Sequence, residues 1–463
     1  MSKWVVIVLF LIAKGLTFGN CFFWDSIAGY SKPATYLLAH GFQSFVYPPD
    51  MVAEPPLAHL YLATLWQLLG RELWVAHLSI TLFAVGVILQ VHQLARRISP
   101  RRAGWITLLV LLEPATLTQL LSLSPDVLLC FFALGCLNAI LDRRPTLLLL
   151  FASCLVLVSV RGIVVCAGIG LAYWIGWYLQ ENSLKTSFTK AIVPFIPALL
   201  LIAAWLIYRK IECGYFGYAP GFAYAEHRQL VGIGPFFRNI AGLGRSMLDS
   251  GRIIVWIFLG IALWRNGLTV SLRKAGSALF PIALLTTLLT LACVTLPFSN
   301  PFGNRYFLVP YILLILTTVL MLEHPAEPKR RVSLSFVVMG LVLISGHFWP
   351  YPERLSKPWD CTLAHLPYYP LRQEMIHYLE QENIQPEEVA TDFPLRGRFG
   401  DLDATNDERH FASVDGEKRR YLIYSNIYNW SDERIDNLNS GEWTPIKSLS
   451  LGQVWLTLYR SND

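Results

Sequence analysis

The chain has 463 residues, a net charge of +6 and a mean hydropathy of +0.44, with 54% hydrophobic and only 15% charged residues. A soluble domain carries about 25% charged residues, so this composition excludes one. The cations sit in short loops between apolar blocks, which makes the charge a topological signal and excludes a nucleic-acid surface.

The apolar blocks are roughly 18 to 22 residues long, the length that crosses about 30 Å of hydrocarbon as a helix. The fold class expected is an all-α polytopic membrane protein of about eleven crossings, with a small α/β domain at its C-terminus. The first block, Val5 to Leu16 behind Lys3, has the outline of a signal peptide. It lacks an A-x-A site, and Asn20 spoils Gly19-Asn20-Cys21 as a lipoprotein site, so an uncleaved crossing near 4–20 is expected.

Further crossings are expected near 72–93, 103–121, 127–141, 146–160, 162–179, 190–208, 251–268, 277–297, 307–322 and 332–349. With the N-terminus inside, the cytoplasmic loops hold Arg96, Arg97, Arg101 and Arg102; Arg143 and Arg144; Lys185 and Lys190; Arg265, Arg273 and Lys274; and Lys329, Arg330 and Arg331. The short outer loops hold little beyond Lys32, Arg161 and Arg305, as the positive-inside rule requires. The exception is 209–250, an outer loop carrying Arg209, Lys210, Arg228, Arg238 and Arg245.

An odd number of crossings puts the tail on the same side as the first loop. In the tail, Leu371, Met375, Ile376 and Leu379 recur at helical spacing, and 387–392, 420–425 and 452–459 read as strands. The division expected is a membrane catalytic domain over 1–350, with its first outer loop at 21–71, and an outer α/β domain over 351–463. Cys130, Cys136, Cys154, Cys166 and Cys293 fall in apolar blocks, Cys21, Cys213 and Cys361 outside them, and no spacing suggests zinc.

Two acids stand out. Asp25 closes the run Phe22-Phe23-Trp24-Asp25 at the end of the first crossing, where a carboxylate among aromatics is a candidate general base. Asp126 follows Ser124-Pro125 and opens a helix; an N-terminal acid is ordinary there, but one at an outer membrane helix end is also costly and often functional. Between them, Glu54-Pro55-Pro56-Leu57 leads into a short Leu-, Tyr- and Trp-rich segment that reads as an interfacial helix. Asn304-Arg305-Tyr306 opens a late helix; its Arg snorkels or holds a lipid phosphate, and Arg209, Lys210, Arg245 and Arg252 offer the same chemistry.

Taken together these features resemble the GT-C superfamily of membrane glycosyltransferases, specifically the dolichyl-phosphate-mannose protein mannosyltransferases and the bacterial aminoarabinose lipid A transferases. The carriers of the resemblance are Asp25 after the first helix, Pro55-Pro56-Leu57 after a large outer loop, Ser124-Pro125-Asp126 at the fourth helix, and Arg305-Tyr306 with Pro310. The sequence departs from the pattern at Ser26, where a second acid is common, and at Glu54, where a Lys is common.

The resemblance implies an inverting transfer from a polyprenyl-phosphate sugar to an acceptor hydroxyl at the outer face of a membrane, the bacterial inner membrane being the expected one. It implies Asp25 as base, Asp126 as a catalytic partner, and Glu54, Pro55, Pro56, Arg209, Lys210, Arg245, Arg305 and Tyr306 as substrate contacts. The partners expected are the lipid bilayer, the lipid-linked donor and a glycan, lipid or protein acceptor, with no nucleic acid. No cofactor beyond the donor is required; a divalent metal acts in some branches, but the sequence shows no ligand set for one. The rival class is a transporter of a small or lipid-linked solute, which calls for intramembrane charges and broken helices.

Overall fold

The computed structural model describes the chain except residues 46, 49–50, 52–53, 218, 220–227, 267–277, 300–302, 324–328, 353–354, 429, 439 and 463. Arg273, Lys274 and the Pro301 that precedes the late helix therefore lie outside the described residues.

A helix stands in each of the eleven apolar segments, from Lys3–Gly15 to Lys329–Gly346. Among the described residues, four helices are long and apolar enough to cross a membrane: Leu73–Ile98, Val160–Glu181, Leu184–Cys213 and Asn304–Leu322. Two bent pairs raise that to six, and the other apolar helices have only 10–17 residues. The fold is thus that of a helical membrane protein.

The bends were not expected. The segment 103–121 is broken into Ala103–Leu111 and Pro114–Leu121, which meet at 79°. Pro114 lacks an N–H and starts a helix more readily than it continues one. The second bend, of 85°, joins Ile233–Leu248 to the helix starting at Ile253. The first of these was read as loop, although Phe236, Ile240, Leu243 and Met247 keep one apolar stripe.

Close helix contact is set by small residues. Val160–Glu181 packs on Leu279–Thr295, and at Gly168 a Cβ would come within 2.7 Å of the Thr287 Cα. The helix Leu57–Leu69 begins behind Pro55-Pro56 as expected and ends at Gly70, whose φ of 94° only glycine adopts freely.

The tail folds as a five-stranded sheet in the order β2-β1-β3-β5-β4: β1 Val389–Thr391, β2 Ala412–Ser413, β3 Tyr421–Ser425, β4 Trp443–Leu451 and β5 Val454–Ser461. The pairs β1/β2 and β1/β3 are parallel, while β3/β5 and β4/β5 are antiparallel. The three expected strands are β1, β3 and β5. The unforeseen β4 is a mostly exposed edge strand with a bulge between Pro445 and Lys447, so it carries no apolar run. Helix Tyr368–Gln381 buries Leu371, Met375 and Leu379 against the sheet.

The tail is tied to the first loop by backbone carbonyls of the short helix Phe399–Asp403. Phe22 N–H donates to Leu402 O at 2.9 Å, Ser31 Oγ to Asp401 O at 2.6 Å and Arg71 Nη2 to Gly400 O at 2.7 Å. Phe23 stacks on His365 with ring centroids 4.7 Å apart. Burial lowers the His365 imidazole from 6.5 to about 4. Between those values the unfolded chain binds more protons, so this stability is present above about pH 6.5 and is lost as pH falls toward 4, by up to about 3 kcal/mol. Melting of the purified protein from about pH 7 to about pH 4.5 should show it: His365→Phe, which keeps the stack, should lose less Tm than the native chain. An equal loss would rule the imidazole out as the cause.

Candidate active site

Asp25 opens a helical turn rather than closing a helix. The first helix stops at Gly15, and the chain runs irregularly to Trp24 before a π-helical turn, Ile27–Ser31. Trp24 takes a left-handed φ of 55°, and its ring lies 5.3 Å from that of Phe393 in the tail. Such a backbone costs on the order of 1–3 kcal/mol and persists where neighbours enforce it. Here Ser26 does so: its buried hydroxyl donates to Phe23 O at 2.6 Å and accepts the Phe23 N–H at 3.1 Å. The Ser that replaces a second acid is the latch of the turn that presents Asp25.

Arg305 lies on a 3-10 turn, Asn304–Phe307, and is buried to 5% exposure. Its guanidinium is ion-paired to Asp25 and also faces Asp126 Oδ2 at 3.8 Å and Asp360 Oδ2 at 3.4 Å. Asp126 is held from its other side by Arg161 through a two-pronged pair at 2.9 and 2.8 Å. The Arg161 guanidinium in turn lies 4.6 Å over the Tyr306 ring. Two guanidinium groups thus hold three carboxylates. Asp25 is the most open of the three, its side chain 30% exposed against 13% for Asp360 and 3% for Asp126.

Glu54 comes to the same place from the first loop. Its Oε2 accepts the Val160 N–H at 2.7 Å, satisfying a donor at the start of Val160–Glu181, while Ser159 Oγ accepts the Gly162 N–H. Burial pushes the Glu54 carboxyl above its usual range, and the Val160 N–H draws it partly back. A Lys there would leave that N–H without an acceptor.

Several of these residues, though not Asp126 or Asp360, line one cleft of about 140 Å³. Asp25, Ser26, Glu54, Arg161, Arg305 and Tyr306 form its polar part, and Val158, Val164, Leu291 and Val294 its apolar wall. Such a cleft suits a phosphate head on an apolar tail. Pro55 is buried beside it and Pro56 starts Leu57–Leu69. A second, apolar cavity of about 300 Å³ lies among Val160–Glu181, Leu184–Ile192 and Ile196–Cys213.

Five of the expected contacts do not line this cleft: Pro55 and Pro56, placed above, and the three cations Arg209, Lys210 and Arg245. Arg209 donates to Gly217 O at 2.5 Å and lies over the Trp205 and Tyr215 rings. Lys210 donates to Gly214 O at 2.5 Å, just past the helix that carries it. Arg245 donates to Ser356 O at 3.0 Å, joining Ile233–Leu248 to the start of the tail. Conversely, Arg161 and Asp360 were not among the candidates. An Arg between two apolar blocks was the available signal for the first; Asp360, in Trp359-Asp360-Cys361, belongs to no motif.

Among the described residues no group of three His, Cys, Asp or Glu side chains is placed to hold a metal ion. The carboxylates converge on Arg305, so a guanidinium stands where a divalent cation would have to sit, and the donor set does not fit one.

The sequence matches no family model and no curated protein. Solved structures do match. ArnT from Cupriavidus metallidurans in the apo state has a TM-score of 0.56 at 14% identity, over 98% of this chain and 97% of that one. The same protein bound to undecaprenyl phosphate has a TM-score of 0.53 at 13% identity, over 98% of both chains. The arabinofuranosyltransferase AftD from Mycobacteria covers 42% of its own length at a TM-score of 0.49 and 14% identity, over 100% of this chain. Over nearly its whole length, this integral membrane chain has the fold of ArnT.

Proposed function

We propose that the chain is an inverting glycosyltransferase that moves a sugar from a polyprenyl-phosphate carrier to an acceptor hydroxyl at the outer face of a bacterial inner membrane. In this reading eleven segments form the membrane domain over 1–350, and the domain over 351–463 stands on the outer side with Asp25. The observation that carries it is the cleft: a half-exposed carboxylate, Asp25, beside a buried arginine, Arg305, with an apolar wall below. A protein of the same fold, ArnT, binds undecaprenyl phosphate.

Asp25 takes the acceptor hydroxyl's proton as that oxygen bonds to the anomeric carbon. The bond from that carbon to the phosphate oxygen breaks, and the polyprenyl phosphate leaves with the electron pair. A phosphate is a competent leaving anion without protonation, and it calls for cations. Arg305 supplies one by exchanging Asp25 for the phosphate, which also frees the carboxylate to act; its five N–H donors suit such an exchange. Arg161 holds Asp126 in place meanwhile through its two-pronged pair.

Reconstitution in liposomes with a panel of polyprenyl-phosphate sugars tests this. One donor should be consumed, with release of polyprenyl phosphate equal to the sugar transferred. Substrate-dependent uptake with no donor consumed would replace the transferase with a transporter.

A further inference from the structure

The two bends are joined to each other. Glu113 sits in the break before Pro114 and Arg252 in the break before Ile253, and their side chains, both fully buried, pair at 2.7 Å. Glu113 also caps the half-helix Pro114–Leu121, accepting from Ala115 N at 3.1 Å, Thr116 N at 2.7 Å and Thr116 Oγ1 at 2.7 Å. At the other end of that half-helix, Lys14 Nζ donates to Leu121 O at 2.7 Å and to Ser122 O at 3.3 Å. Buried polar side chains thus satisfy free backbone groups at both ends of this one element.

Both partners lead to the cleft. From the half-helix, Gln119 Nε2 donates to Asp360 O at 2.5 Å, and the Gln119 carbonyl accepts the Ser124 hydroxyl, two residues before Asp126. From the other bend, Arg252 Nε donates to Ser246 O at 3.0 Å, and Ser246 Oγ donates to Asn304 Oδ1, next to Arg305, at 2.7 Å. Glu113 therefore stands behind Asp126 and Asp360, and Arg252 behind Arg305. A buried ion pair is a poor way to gain stability, because a well-packed apolar pair is often as good or better. Geometry is the better account of it.

We infer that Glu113 and Arg252 are positioning residues: their pairing sets the distance between Arg305 and the carboxylates of Asp126 and Asp360 that face it. The inference about rate rests on the transferase reading. The test uses the full chain in lipid nanodiscs, with Glu113→Gln, Arg252→Lys and the milder Gln119→Leu, which cuts the connection without unpairing a buried charge. A misplacement of about 1 Å at reacting groups costs about 10²-fold. Each variant should lower kcat of the folded fraction by about 10- to 10²-fold, with the KM for donor moved less than about twofold. Amide exchange at residues 122–126 and 359–361 should speed up in the same variants. Unchanged kcat and unchanged exchange in Gln119→Leu would overturn the inference, as would a loss confined to Tm. Faster exchange in a chain that consumes no donor would sustain the positioning and reject the transferase.

Discussion

Asp25→Asn is expected to lower sugar transfer by about 10² to 10⁴-fold, the range that a positioned general base supplies. Asn keeps the shape and the contact with Arg305 but has no lone pair basic enough to take the acceptor's proton. Donor binding should survive, because the phosphate meets Arg305 and the apolar wall rather than Asp25. The informative measurement is therefore paired: turnover of the lipid-linked donor and its equilibrium binding in one preparation. Transfer at the native rate would remove Asp25 from the mechanism. Loss of binding along with turnover would mean that the residue shapes the cleft rather than acting in it.

Arg305→Gln should be the more damaging change. It leaves Asp25, Asp126 and Asp360 facing one another without the cation that separates them, with Asp126 still held by Arg161. Breaking a buried ion pair in this way costs about 3–5 kcal/mol. Removing a group that stabilises the leaving anion costs about 10²–10³ in rate. Melting temperature and kcat should fall together, and Arg305→Lys should recover more of the first than of the second, since an ammonium restores a positive charge among the carboxylates but cannot hold a phosphate with a planar fork. A stable, active Arg305→Gln protein would contradict both the charge balance and the proposed role.

The membrane helices were legible because hydropathy is additive along a segment and needs no partner. Asp25, Glu54, Asp126, Arg305 and Tyr306 were legible because each sits at the end of such a segment, where a polar residue stands out. Asp360 was not, since its importance comes from a tertiary contact with Arg305 and its local sequence is ordinary for a polar tail. The two bends escaped for a related reason: Arg252 read as one more phosphate-binding cation beside a long loop, and its partner Glu113 is joined to it only by a tertiary contact. Arg209, Lys210 and Arg245 were drawn in by charge, but they serve helix ends and the link to the tail.

Ser31 meets Asp401 across 370 residues, Arg71 meets Gly400 across 329, and Arg305 meets Asp25 across 280. Contacts so distant in sequence form late, because loop-closure entropy must be overcome before they contribute. During synthesis, the first loop enters the membrane long before its partners exist. A nascent chain arrested before Asp360 would hold Asp25 without the carbonyls that fasten its loop, and Arg305 with one carboxylate missing. On the transferase reading, catalytic competence is acquired at the end of biogenesis, and fragments that lack the tail should be inert toward lipid-linked sugar.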